Sequence, residues 1–206
     1  MTASRPSRLA PLVLALFASG CAFTKEQIQI GYAAAPDAPK VAGAAAIRVK
    51  VTVLDLRPTD AQTLIVSHKI NGFGVQGAEI SSLMAPAVVL AGAVAAELRA
   101  HGYVVEQSGD VPLTIELKVF SHAFHAGFFA GDSEATVSFT ATVVDRAGSR
   151  LFQGSFVGPF KASVQMASGD NVREAYEGAL QTAVRQLVES PDLQKALAAA
   201  AQPPRA

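Results

Sequence analysis

Between residues 111 and 119 the chain alternates strictly. Val111, Leu113, Ile115, Leu117 and Val119 take one parity, and Thr114, Glu116 and Lys118 the other. A β-strand sends successive side chains to opposite faces, so this run is a long strand with one apolar face, predicted to continue to His122. Two more strands are predicted, Ser133 to Asp145 and Ser149 to Phe160, joined by the turn Arg146-Ala147-Gly148. Together the three form an antiparallel meander. A chain carrying such a meander must cover its apolar face with helices or another sheet.

The covering helices are legible. Over residues 84–101, Ala87, Leu90, Ala91, Val94 and Leu98 recur at helical spacing. Pro86 suits the first turn of this helix and Gly102 its left-handed cap. A second helix starts near Asn171, with Asn171 and Glu174 at capping-box spacing, and buries Val172, Tyr176, Ala179, Leu180, Ala183, Leu187 and Val188. Ser190-Pro191 ends it and begins a short helix through Leu193 and Leu197.

Upstream, Ile47, Val49, Val51 and Val53 alternate with Arg48, Lys50 and Thr52, and Pro58 stops that ladder. Thr63 to Lys69 is read as its hairpin partner across residues 59–62, and Asn71-Gly72-Phe73-Gly74-Val75-Gln76-Gly77 as a loop. Tyr103 to Glu106 is a short strand. The expected fold class is therefore α+β: a mostly antiparallel sheet of about five strands, with two main helices packed on one face.

Arg5 and Arg8 precede an apolar run from Leu9 to Ala18. Cationic residues before about ten apolar ones form the n- and h-regions of an export signal, and the run is shorter than the roughly 20 residues that span a bilayer. The run ends Leu16-Phe17-Ala18-Ser19-Gly20-Cys21, which resembles the bacterial lipobox, with Ala18 where leucine is commonest. That resemblance implies cleavage between Gly20 and Cys21 and a multiply acylated Cys21 as a firm anchor. Because Ala22 rather than aspartate follows, it also implies outer-membrane sorting, with the domain facing the periplasm. Cys21 is the only cysteine, so no intramolecular disulfide can form.

These features divide the chain into a signal at 1–20, a lipidated N-terminus and Ala/Pro-rich tether at 21–45, one α+β domain at 46–200, and a disordered tail at 201–206. A tether of some 24 flexible residues would reach roughly 25–30 Å. Within it, Gln27-Ile28-Gln29-Ile30-Gly31-Tyr32 alternates and could add an edge strand. Lys plus Arg and Asp plus Glu are equal at 17 each, which leaves no basic excess for nucleic acid and no electrostatic membrane patch.

The strand ending Val51-Thr52-Val53-Leu54-Asp55-Leu56-Arg57, the helix end Glu97-Leu98-Arg99-Ala100-His101-Gly102-Tyr103-Val104-Val105, and the run from Val111 to Val119 together resemble the YajG family of bacterial lipoproteins. The resemblance spans roughly residues 45–190. It implies an envelope lipoprotein with an α+β domain, and supplies no reaction, ligand or active-site residue.

Candidate chemistry is sparse. His122 and His125 have a spacing that serves metal ligands on a helix, but on a strand it sends them to opposite faces, so they are read as a solvated strand end. Asp55 and Arg57 are read as an ion pair or turn contact. There is no Gly-x-Ser-x-Gly elbow, and Gly72-Phe73-Gly74 lacks the lysine of a phosphate loop. No catalytic residue, metal site or cofactor beyond the lipid on Cys21 is expected, and the chain is not expected to be an enzyme. Phe124, Phe128 and Phe129, at the tip of the meander's first hairpin, are the candidate contact with an envelope protein partner, because aromatics are costly to leave in water. The expected function is that of an accessory or binding protein. The alternative is a module holding a lipid or cell-wall fragment in the helix–sheet cleft.

Overall fold

The computed structural model describes residues 24–71, 75–127 and 130–202. Their strands are β1 (Glu26–Ile28), β2 (Arg48–Asp55), β3 (Ile65–Ile70), β4 (Gln76–Ser82), β5 (Val104–Val105), β6 (Val111–His125), β7 (Gly131–Val144) and β8 (Arg150–Val164). The helices are α1 (Pro86–Ala100), α2 (Gly169–Val188) and α3 (Pro191–Ala200). The fold is α+β, with a five-stranded sheet in the order β5-β2-β6-β7-β8 and a three-stranded sheet in the order β1-β4-β3.

In the larger sheet β6, β7 and β8 form the expected antiparallel meander, while β2 runs parallel to both β5 and β6. Both edges of β2 are thus occupied. This is why β3 does not fold back on it as the hairpin expected across residues 59–62. That connection is instead a 3-10 turn at Thr59–Ala61, and β3 pairs antiparallel with β4 in the second sheet. Strand β4 falls partly in the segment read as a loop; Gly72, Phe73 and Gly74 lie outside the described residues.

Val111, Leu113, Ile115 and Leu117 are fully buried, as the alternation requires, but Val119 is 37% exposed and Phe120 is buried in its place. A register shift between Leu117 and Val119 causes the exchange: one extra residue on β6 reverses which parity faces inward. Beyond the bulge, His122 and Phe124 therefore share the inner face with Phe120.

Helix α2 lies across β6, β7 and β8, and α1 lies on β2 and β5. Every residue assigned to the α2 stripe is fully buried. Its N-cap is Ser168 rather than Asn171: the Ser168 hydroxyl accepts from the Asn171 backbone N–H. In α1 the buried face is centred on Val89, Leu90, Ala93, Val94, Glu97 and Leu98, turned from the expected stripe so that Ala87 and Ala91 lie at its margin. Ser190 caps α3, with Pro191 in its first turn.

The segment expected to be a tether is part of the folded domain. Strand β1 pairs parallel with β4, and Ile28 and Ile30 are buried. Further on, the Gly31 N–H donates to the Glu177 carboxylate at 2.9 Å, the Val41 N–H donates to the His101 carbonyl at 2.9 Å, and Ala44 is buried. Its alanines and prolines resemble linker composition, but isoleucine alternation and these long-range bonds dock it.

The closest approach between layers is at Gly158 on β8. A Cβ there would collide with the Ala179 carbonyl oxygen and the Ala183 nitrogen of α2. Gly158→Ala should destabilise the protein by about 1–3 kcal/mol. Gly92→Ala, at an open mid-helix position, should stabilise it by roughly 0.5–1 kcal/mol. Urea unfolding curves of both variants measure the pair; a neutral Gly158→Ala would mean that α2 does not sit this close to β8.

Candidate functional site

Of the residues marked from the sequence, Gly20, Cys21, Phe128 and Phe129 lie outside the described residues. Phe124 is half-buried, its ring filling the space that a Cβ at Gly131 would need across the hairpin. It therefore packs on its own hairpin. His125 is exposed and stands 3.7 Å from Glu134. Lys161 bridges Asp132 at 2.7 Å and Glu134 at 2.9 Å, and these two carboxylates hold its ammonium well above the ordinary lysine range.

His122 is not solvated. Placed inward by the bulge, its ring spans the two sheets: Nδ1 is 2.8 Å from the Ser67 hydroxyl on β3, and Nε2 is 2.8 Å from the Ser133 hydroxyl on β7. One ring nitrogen accepts and the other donates, so a neutral imidazole satisfies both bonds. Burial pulls its pKa down to about 4. Beside it Tyr176 is fully buried, stacks on Phe120 at 4.3 Å, and donates its hydroxyl to the Val66 carbonyl at 2.9 Å. Burial raises the Tyr176 pKa far above the ordinary phenol range. A serine–histidine contact is one element of nucleophilic catalysis, but here no carboxylate orients the ring and both serines are buried. The arrangement is a structural bridge.

The expected pair of Asp55 and Arg57 is a bidentate one. Arg57 Nε donates to Asp55 Oδ1 at 2.9 Å and a terminal nitrogen to Oδ2 at 2.8 Å. The guanidinium is buried and the hydrogen bond from it lowers the Asp55 pKa. Gln62 then donates to the Arg57 carbonyl at 2.6 Å, closing the turn that follows β2.

A second polar cluster, absent from the sequence reading, lies where α1 and α2 end. Glu97 is fully buried and His101, its i+4 neighbour at the α1 C-cap, is 1% exposed. The Tyr32 hydroxyl donates to Glu97 Oε2 at 2.8 Å, and burial together with that carboxylate drives the Tyr32 pKa upward while Arg185 opposes the rise. Glu97 Oε1 and both ring nitrogens of His101 have no hydrogen bond. Glu189, the exposed C-cap of α2, brings a carboxylate oxygen so that ligand atoms of Glu97, His101 and Glu189 all lie within 4.8 Å of one another. A cavity of about 290 Å³ opens onto His101 and Glu189, with Lys40 and Gln194 at its wall. The helical spacing of Glu97 and His101 was visible in the sequence. Glu189 and Tyr32 join them only through the tertiary fold.

Residues 34–198 match the family described as an uncharacterised lipoprotein. The chain belongs to that family. This agrees with the YajG resemblance. Among solved structures, one similar chain is a Xanthomonas campestris protein of the DUF330 family, with a TM-score of 0.55 and 16% identity, covering 80% of this chain and 92% of that one. Another is an uncharacterised protein with a TM-score of 0.51 and 12% identity, covering 81% and 97% respectively. A minor lipoprotein from Acinetobacter baumannii aligns with a TM-score of 0.41 and 9% identity over 76% of this chain and 96% of that one. The first two share the fold. No curated protein matches the chain. None of these relatives is described as an enzyme, and no helix among the described residues is long and apolar enough to cross a membrane.

The His122 bridge makes a pH prediction. Its folded pKa lies below the ordinary histidine value of 6.5, so between those limits the unfolded chain binds the proton and the folded one does not. Stability should therefore fall as pH drops from about 6.5 to about 4, by on the order of 2 kcal/mol after discounting for partial exposure. Urea titrations at several pH values should show this loss in the wild-type chain and a flatter profile in His122→Gln. Equal slopes would mean that the ring is not held neutral.

Proposed function

We propose that this protein is a lipid-anchored bacterial envelope protein that acts by binding rather than by catalysis, with Cys21 as its attachment point. Family membership supports the lipoprotein assignment. The observation that carries the positional part is where the folded domain begins: β1 starts at Glu26, five residues after Cys21. Such a stretch extends at most about 17 Å, so the domain stays against the membrane that holds the lipid.

The docking also sets which end faces that membrane. The Glu26 carboxylate accepts from the Gly169 N–H at the start of α2 and pairs with Lys69 at the end of β3. Asn171, one half-turn on, offers its carbonyl to Ser133, near the start of β7. The anchor thus leaves the domain at the end that carries the β6–β7 hairpin, whose connection holds Phe128 and Phe129. That end is the candidate contact for an envelope protein held at the same surface.

The face opposite α2 is lined on β7 by Thr136, Ser138, Thr140 and Thr142, which are half-buried. The cleft between α2 and the sheet is filled by the buried stripe of the helix and by Gly158 against Ala179 and Ala183. A lipid or cell-wall fragment would have to displace that packing. The reading of a protein-binding lipoprotein, sorted to the outer membrane and facing the periplasm, is the one favoured.

Membrane fractionation with mass spectrometry of the N-terminus tests the anchor. The wild-type chain should begin at an acylated Cys21 and sediment with outer membranes, and Cys21→Ser should abolish acylation and membrane retention. A wild-type chain recovered in the soluble fraction with an unmodified Cys21 contradicts the reading.

A further inference from the structure

From the cluster at the ends of α1 and α2 we infer that Glu97, His101 and Glu189 form a binding site for one divalent transition-metal ion of the zinc class. No family property or sequence motif assigns one there, and the sequence reading expected none.

Three independent features point to a cation. The first is unspent coordination. Glu97 Oε1 and both His101 ring nitrogens are buried without a hydrogen bond, although buried polar atoms are almost always paired. Two of the three candidate ligands thus already lack the partner that an ion would supply. The second is geometry. Four ligands at about 2.0–2.1 Å from a tetrahedral ion lie about 3.3–3.4 Å from one another. His101 Nε2 and Glu97 Oε1 stand 3.4 Å apart, with no hydrogen-bond alignment between them. Glu189 is within 4.8 Å and exposed, so rotation of its side chain brings the third ligand in. The cavity of about 290 Å³ at His101 and Glu189 gives the ion an entry path and room for a water as fourth ligand.

The third is the field. His101 and Glu189 are the C-caps of α1 and α2, so two helix C-termini converge on the site with their partial negative charge, which favours a cation. Two resident cations compete. Lys40 is committed to the Ala100 carbonyl at 2.6 Å, and Arg185 lies on the Tyr32 side of the cluster. Neither makes a hydrogen bond or ion pair with His101 among the described contacts. Tyr32, donating to Glu97 Oε2, orients the carboxylate so that Oε1 faces His101, as an outer-shell partner does in metal sites. One imidazole with two carboxylates suits zinc, manganese or iron better than magnesium or calcium, which take oxygen alone.

The test uses the untagged full chain, stripped with chelator and carrying Cys21→Ser so that no thiol competes. Calorimetric titration with zinc chloride should show one ion per chain with micromolar or tighter affinity, and X-ray absorption should report one nitrogen and several oxygens as neighbours. His101→Gln should abolish binding. Glu189→Gln, at an exposed position that leaves the fold intact, should weaken it roughly 100-fold, at or beyond the range of outer-shell changes. His125→Gln, altering an exposed histidine elsewhere, should bind as before. Absence of saturable binding to the parent chain overturns the site, as does binding that Glu189→Gln leaves unchanged. If His101→Gln does not fold, the Glu189→Gln titration decides alone.

Discussion

The hydroxyl of Tyr176 donates to the carbonyl of Val66, and the joining of the two sheets depends on that bond. Tyr176 sits in the middle of α2 with no exposed surface, its ring stacked on Phe120 of β6 and its oxygen on β3. One side chain therefore touches the central helix, the five-stranded sheet and the three-stranded sheet. A buried hydroxyl without an acceptor would cost about 1–3 kcal/mol, so β3 must present Val66 at this point. The bulge in β6 is the other half of the arrangement. Without it Phe120 would face outward, and His122 could not reach Ser67 and Ser133.

This joint fixes the second sheet, and the second sheet fixes the N-terminal segment. Strand β1 has β4 as its only ladder partner among the described strands, and the first carboxylate of β1 is held by the α2 N-terminus and Lys69. From there the segment crosses to Glu177 and Glu97 and reaches the α1 C-terminus through Val41. The same path that shortens the distance from Cys21 to the domain also delivers Tyr32 to the Glu97–His101 cluster. Anchor geometry and the inferred metal site thus rest on one docked stretch, though each can fail without the other.

Local patterns were legible and partners across the fold were not. The meander, the α2 stripe and the Ser190-Pro191 break follow from spacing and capping chemistry that act within a few residues. The pairing of β3 did not follow, because what excludes it from β2 is the parallel placement of β5 and β6, a long-range fact. Residues Gln76–Ser82 carry Gly77, Glu79 and two serines with only Ile80 fully buried, too little alternation to mark a strand. The tether reading failed through composition: alanine and proline between Ala33 and Pro39 hid the isoleucines before them. Phase was the other loss. A single inserted residue at Lys118 turned His122 from an apparent solvated end into a buried bridge. At the α1 end, Glu97 and His101 were in plain view at helical spacing, but their isolation from hydrogen-bond partners exists only in the folded chain.

The central claim is that residues 26–47 belong to the folded domain, leaving only a few residues between lipid and fold. Residue-resolved amide hydrogen exchange measures this directly. The account predicts that the amides of Ile28, Gly31 and Val41 exchange slowly, at rates comparable to those of β4 and within the range set by cooperative unfolding. Exchange of these amides at the rates of an unstructured peptide, with β6 and α2 still protected, would contradict it and restore a long flexible tether.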